Sequence, residues 1–381
     1  MNSTHKADER PGELIIEKIE FIPLVMPLPK IFKGSNYYMS HRCTIITRIY
    51  TRDGIVGECY NGDEFEGQKA VLDVLQKLAP SLIGMSAFEV EKCWEAMLPP
   101  TYDILADRAA AIQAQACLDS AIWDTVGKAM GQPLFRIWGA AKSSLPVIAI
   151  AGYYGDGRTL DDYEKEMVEL RDSGLGGCKF KVGGRSPRED AERVRAAFRV
   201  ADADFRICVD ANQGFTLREA IEFASYVDDL DLMWFEEPCR WFDDRRSMAV
   251  VRSTTGVPIT AGQSERSRAG CRDLMLDSAI DFCNFDASWG GGPSEWRRVA
   301  GMARCFNVTM AHHEEPQISA HLLASITNSA CMEVFHPDRD PLFYELVANR
   351  NPFKNGRYDV PTGPGFGLEL NEKLIAKYRV A

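Results

Sequence analysis

The chain has no long apolar run. Pro, Gly or a charged residue interrupts every candidate before the roughly 18 residues that a membrane-spanning helix needs. Its start, from Met1 to Gly12, is polar and charged and carries no apolar export signal. No C-x-x-C pair occurs among the 11 cysteines, an odd count spread from Cys43 to Cys331. That excludes a disulfide scaffold or a zinc ribbon and implies reduced, mostly buried thiols in a cytoplasmic protein. A basic block is also missing. With 44 Lys and Arg against 55 Asp and Glu the net charge is -11, so neither nucleic acid nor an anionic membrane is an expected partner. Linkers, low-complexity tracts and short solenoid repeats are absent too.

What remains is an ordinary globular composition, 45% hydrophobic and 26% charged, over 381 residues. That length suits two domains. Residues 1–137 form the first unit. Apolar alternation at Ile15, Ile16, Ile19 and Phe21 leads into a proline-punctuated loop at 23–29. Strands at 44–51 and 55–60 flank Asp53-Gly54, a hairpin signal. The segment holding Val71, Val74, Leu75 and Leu78 is helical in period, and a second helix spans 106–130. Strands followed by helices make this an α+β unit.

From about residue 138 to 351 the pattern alternates. Short apolar runs at 147–151, 178–182, 205–209, 232–235, 257–260, 280–285, 308–311 and 331–335 are separated by amphipathic helical stretches. Eight such alternations are expected to form a parallel (β/α) barrel of the TIM type. The turn-rich tail, about 352–381, is expected to fold back onto the first unit.

Each run from the second onward closes on a polar group. The series is Lys179-x-Lys181, Asp210-x-Asn212, Glu236-Glu237-Pro238, Gly262-Gln263-Ser264-Glu265, Asp286, His312-His313 and Glu333, at intervals of about 20 to 29 residues. One βα unit has about that length, so all these groups share one rim, where barrel enzymes place their active sites. Residues two apart in a strand point the same way; Lys179 and Lys181 both face inward, as do Asp210 and Asn212. Asp210 and Glu236, with one group from the fifth strand, suit a hard divalent cation such as Mg²⁺. A lone lysine pair reads as solvated charge. In this alternating run it reads as a half-buried pair, one cation lowering the pKa of the other so that it acts as a base. His313 at the seventh strand has a carboxylate, Asp286, at the sixth to orient it. His312 points elsewhere and is read as structural.

With these residues in view, the chain resembles the enolase superfamily and, within it, the mandelate racemase subgroup. The resemblance covers nearly the whole length. It includes Leu118-Asp119, Trp123-Asp124, Gly127-Lys128, Gly131-Gln132-Pro133-Leu134, the run Ile318-Ser319-Ala320-His321-Leu322-Leu323-Ala324, and the tail Gly363-Pro364-Gly365. It implies an α/β fold: a modified (β/α)7β TIM barrel under an α+β capping domain, holding Mg²⁺ and removing the proton α to a carboxylate. Lys181 then resembles the base on one substrate face, and Lys179 its neighbour. His313 with Asp286 resembles the acid/base on the other face, Glu333 a group that contacts the substrate carboxylate, and Asn212 a substrate contact. Asp210 and Glu236 resemble metal ligands. Where the family commonly has Gly-Glu at the fifth strand this chain has Gly262-Gln263, leaving either Gln263 or Glu265 as the third ligand.

The resemblance further implies dehydration of a sugar acid, an aldonate or aldarate, to a 2-keto-3-deoxy acid, with racemisation or epimerisation of a 2-hydroxy acid as the alternative and a non-catalytic binding protein as a remote one. Substrate choice is expected from the loop at 27–41, with Lys33 and Tyr38 as contacts. A homo-oligomer is expected as well.

Overall fold

The computed structural model describes residues 13–62 and 67–380, so the polar start from Met1 to Gly12 lies outside it. Three antiparallel strands open the chain in the order β1 (Ile16–Lys33), β2 (Tyr38–Thr51), β3 (Val56–Asn61). The β2–β3 turn closes through Gly54, whose φ of 80° suits glycine. The expected break at 23–29 is confined to a register shift between Pro27 and Phe32, because β1 stays paired with β2 through Pro23 and Pro27. It is the edge strand of this sheet, and Pro23 and Pro27 lie four apart, so both turn their missing N–H away from β2. The carbonyl of Pro23 on that outer side accepts from Val380 N, which partly covers the edge.

Helices α1 (Gln68–Leu82), α2 (Val90–Ala96) and α3 (Arg108–Ala129) cover this sheet. Asp107 caps α3 by accepting from Ala110 N. Ile16, Ile45, Ile49, Leu75, Leu118 and Ile122 form the cap's own core. Because α3 also packs on the second unit, it is buried nearly all round rather than along one stripe.

After the short α4 (Leu134–Ile137), eight parallel strands follow: β4 (Ser144–Ala151), β5 (Gly177–Lys181), β6 (Arg206–Asp210), β7 (Phe235–Glu236), β8 (Ile259–Ala261), β9 (Phe282–Cys283), β10 (Thr309–Met310) and β11 (Met332–Phe335). Between them run α5 (Leu160–Asp172), α6 (Pro187–Val200), α7 (Leu217–Tyr226), α8 (Asp244–Thr255), α9 (Arg268–Leu276), α10 (Pro293–Cys305) and α11 (Pro316–Ser325). Capping boxes start α5, α6 and α7, at Thr159/Asp162, Ser186/Glu189 and Thr216/Glu219. Neighbouring strands pair in sequence order from β4 to β10, and β11 pairs with β4. One bridge, Met310 to Ser329, links β10 to the residues entering β11. From β7 to β10 the ladders are only two or three residues long. Backbone bonds outside the ladders, such as Ala311 N to Cys283 O and His313 N to Asn284 O, carry the chain on to the rim. No helix among the described residues is long and apolar enough to cross a membrane.

The tail divides between the two units rather than completing the cap alone. Strands β12 (Phe353–Lys354) and β13 (Arg357–Asp359) form a hairpin, and β13 pairs antiparallel with the start of β4. Helix α12 (Glu372–Tyr378) then reaches the cap, where Glu372 pairs with Arg48 and Arg379 bridges Leu24. Between these, Gly365 lies against α3. A Cβ on Gly127 would meet the Gly365 Cα at 2.5 Å, and Asp124 Oδ1 accepts from Phe366 N at 2.8 Å. His321 ties the same joint: Phe135 N–H donates to its Nδ1, and its Nε2 donates to Phe366 O. The glycine and histidine motifs noted above are thus joints of the fold.

A buried ion pair fixes the cap to the barrel. Arg42 on β2 is fully buried and donates to Asp340 at 3.0 Å, to Glu315 at 3.3 Å and to the Gly62 carbonyl at 3.2 Å. Removing one partner of such a pair strands the others' charge. Arg42→Met should therefore cost about 3–5 kcal/mol in chemical denaturation; a loss within measurement error would show that this pair is not the joint.

Candidate active site

Strand β5 sets the centre. Its alternation turns Cys178 and Phe180 toward the surrounding helices, Phe180 packing on the Tyr163 ring at 5.4 Å, and turns Lys179 and Lys181 inward. Lys179 Nζ donates to Glu236 Oε1 and to Glu333 Oε2, each at 2.8 Å, and lies 3.9 Å from Asp210 Oδ2. Lys181 Nζ donates to Asp210 Oδ2 at 2.6 Å and Asn212 Oδ1 at 2.9 Å. The lowered lysine pKa expected from the pair is not found. Burial does pull both ammoniums down, but Glu236, Glu333 and Asp210 around Lys179, and Asp210 beside Lys181, more than offset it. Both are held well above the usual lysine range. Glu333 keeps its second oxygen, Oε1, buried and without a partner.

Glu236 also accepts from Trp234 Nε1 at 3.1 Å and Asn284 Nδ2 at 2.9 Å. Among the described residues no three His, Cys, Asp or Glu converge as a metal cage. The Gln263 amide offers a third oxygen to go with Asp210 and Glu236. Gln263 is buried, donates its Nε2 to Glu237 Oε2 at 2.8 Å, and leaves its Oε1 with no partner. An orphaned amide oxygen with two carboxylates is the donor chemistry a hard cation takes.

Glu265, the other candidate for this role, is not brought to the centre. Its carboxylate accepts from Arg245 Nη2 at 3.0 Å. The same-side rule holds within a strand, but β8 ends at Ala261. Gly262 (φ 142°) and the turn that Glu265 N closes on the Gly262 carbonyl break the alternation.

On the other side His313 Nδ1 meets Asp286 Oδ2 at 2.9 Å, and its Nε2 meets Glu314 Oε1 at 3.0 Å. Burial opposes the ring's charge, yet the two carboxylates hold its pKa well above the ordinary histidine value. His312 is structural: its Nε2 accepts from Ala287 N and its Nδ1 donates to the His313 carbonyl, a neutral tautomer that burial favours.

A cavity of about 640 Å³ is lined by Lys181, Asn212, Gln263, His313, Glu314 and Arg339 from the barrel and by residues 36–41 and Gly67 from the cap, while Lys179, Asp210, Glu236 and Glu333 lie beneath its wall. The segment expected as a loop is a hairpin, closed by Gly34 N on the Tyr37 carbonyl. It sets the Tyr37 ring 5.7 Å from Lys181 Nζ and leaves Tyr38 on the cavity wall. Lys33 is not in the cavity. Its ammonium pairs with Asp156 at 3.2 Å, and its carbonyl accepts from Tyr154 N, so it anchors the hairpin to the loop after β4.

The cavity residues outside the sequence-based set include Glu314, Arg339 and Trp289, whose ring is 5.0 Å from that of His313. Strand alternation would aim Glu314 away from His313. Only its left-handed backbone (φ 49°) turns it back, and no residue type at that position announces such a turn. Five of the ten described non-glycine residues with positive φ sit at these strand ends: Asn212, Gln213, Glu237, Glu314 and Glu315. Strain concentrated there is typical of functional sites.

Comparison with known proteins adds to this geometry. Residues 162–374 match the family model described as enolase C-terminal domain-like, and residues 24–139 match the mandelate racemase / muconate lactonizing enzyme N-terminal domain. The chain is 29% identical to arabinonate dehydratase of Saccharolobus solfataricus, over 88% of this chain and 90% of that one. It is 28% identical to L-talarate/galactarate dehydratase of Salmonella typhimurium, over 93% and 88%. A mandelate racemase/muconate lactonizing enzyme from a marine actinobacterium, solved in complex with magnesium, superposes with a TM-score of 0.91 at 46% identity, covering 97% of this chain and all of that one. With both family models matched across the cap and the barrel, the chain belongs to the enolase superfamily, in its mandelate racemase subgroup.

Proposed function

We propose that the protein is a magnesium-dependent dehydratase of a sugar acid, an aldonate or aldarate. The observation that carries this reading is the placement of Lys181 and the Asp286–His313 pair on one cavity, from strands β5 and β10, under a polar hairpin. Two relatives that align over most of the chain are named as sugar-acid dehydratases.

In this reading Lys181 takes the C2 proton of the bound acid as the free amine, a form open to it when Asp210, which otherwise holds the ammonium charged, serves as a metal ligand instead. The resulting enediolate expels the C3 hydroxyl. His313 gives its proton to that oxygen, so that it departs as water. The enol left behind collects a proton at C3 and becomes a 2-keto-3-deoxy acid. Asp210, Glu236 and Gln263 would hold magnesium, which supplies positive charge against the carboxylate as it gains electron density. Lys179 and Glu333 form the base of the site and fix Glu236. Tyr38 and Asn212 offer hydrogen bonds to a polyol chain. Tyr37 covers Lys181 and excludes water from it.

Incubation with Mg²⁺ and a panel of aldonates and aldarates in D₂O, followed by proton NMR, should give the deuterated C3 methylene of a 2-keto-3-deoxy acid. Exchange or inversion at C2 without loss of water would replace this reading with the epimerase one. On the substrate so found, Lys181→Ala and His313→Asn should each lower kcat by about 10²–10⁴, while Lys33→Ala should leave turnover near wild type. Two full-activity variants at Lys181 and His313 would remove both from the chemistry. Activity should fall in EDTA and return with added Mg²⁺; persistence after exhaustive chelation would count against the metal.

A further inference from the structure

Both ring nitrogens of His313 are held by carboxylates, Nδ1 by Asp286 at 2.9 Å and Nε2 by Glu314 at 3.0 Å. An ionised carboxylate only accepts, and a neutral imidazole has one N–H to give. Satisfying both partners therefore requires the doubly donating, charged ring. The groups facing it are Asp286 after β9, Glu314 beside it and Glu237 after β7, against Lys179 from β5 and a neutral His312. Glu314 is itself built in. Its left-handed backbone turns the side chain toward His313, its N–H donates to Glu333 Oε2 at 3.2 Å, and Arg339 and Arg42 favour its ionised form.

We propose that Glu314 is a positioning residue that keeps His313 in its acid form, so that this face of the cavity donates protons and abstraction from carbon is left to Lys181. The inference rests on the sugar-acid reading above. As water leaves, the C3–O bonding pair departs with the oxygen. The Nε2 proton moves from the ring to that oxygen, and the hydroxyl takes the place of Glu314 in the hydrogen bond. The ring is left neutral between two carboxylates and takes its next proton from solvent. A racemase needs the opposite state as well, a neutral imidazole that accepts a proton from the second C2 configuration. Glu314 disfavours that state.

The test does not depend on turnover. The full-length protein with Mg²⁺, carrying ¹⁵N-labelled histidine, is titrated by long-range ¹H–¹⁵N NMR, with His313→Asn used to assign the ring. In wild type the His313 ring should keep both protons well above the ordinary midpoint of about 6.5. Glu314→Gln keeps an acceptor of nearly the same shape without the charge. It should lower the midpoint by about one unit or more, and Glu314→Asp should restore part of the shift. The alkaline limb of kcat on a dehydrated sugar acid should move down by the same amount. An unmoved midpoint in Glu314→Gln, or a wild-type ring that titrates at the ordinary value, overturns the proposal. A shifted midpoint in a protein that dehydrates no member of the panel supports the role of Glu314 and counts against the sugar-acid reading.

Discussion

Two lysine ammoniums sealed from water at the mouth of a barrel dictate much of what surrounds them. A buried charge is tolerated only when counter-charges and hydrogen bonds replace its lost hydration. Lys179 is fully buried and finds that replacement in Glu236 and Glu333, while Lys181 finds it in Asp210 and Asn212. The acids are buried in turn and need donors beyond the lysines, and Trp234 and Asn284 supply them to Glu236. The result is a network drawn from β5, β6, β7 and β11 and from the residue after β9, so the polar centre links these strands across the barrel.

Such a centre requires strands that stop in register. The two-residue ladders of β7, β9 and β10 end where the polar side chains begin, and irregular backbone bonds take over beyond them. Left-handed residues there cost energy that the rest of the fold supplies. The helix capping boxes and the Gly127–Gly365 contact hold the frame, and the Arg42 ion pair does so directly behind the cavity residues Glu314 and Arg339. The cap contributes to the site chiefly through the β1–β2 hairpin, which sets Tyr37 over Lys181 while Lys33 pairs with Asp156.

Much of this was legible in the sequence, because inward strand positions repeat with period two and the βα spacing brings their ends to one rim. Lys179, Lys181, Asp210 and Glu236 follow from that rule alone, whereas Asn212 lies past the end of β6 in a left-handed conformation and reaches Lys181 all the same. The rule fails where extended geometry stops. Counting in twos puts Glu265 on the side of Gln263, but the backbone turns at Gly262 and sends it to Arg245. Proline punctuation suggested a loop at 23–29, yet an edge strand accommodates Pro23 and Pro27 on its outer side. The nearest cation alone would lower the pKa of either lysine, whereas the carboxylates gathered by three other strands raise it. Tertiary charge of that kind cannot be counted along a chain.

The two faces of the cavity also differ in how their ionisable groups are held. Lys181 is flanked by Asp210, its register partner on β6, and by the neutral amide of Asn212 just after that strand. His313 is flanked by Asp286 from the neighbouring strand end and by Glu314, the next residue in its own chain, which a left-handed turn folds back. The first arrangement spreads one carboxylate between two ammoniums; the second concentrates two carboxylates on one ring. A site meant to run equally in both directions across a mirror-like substrate would be expected to balance its faces. The imbalance here suits a reaction whose two ends differ, with a proton taken from carbon on one side and water released on the other.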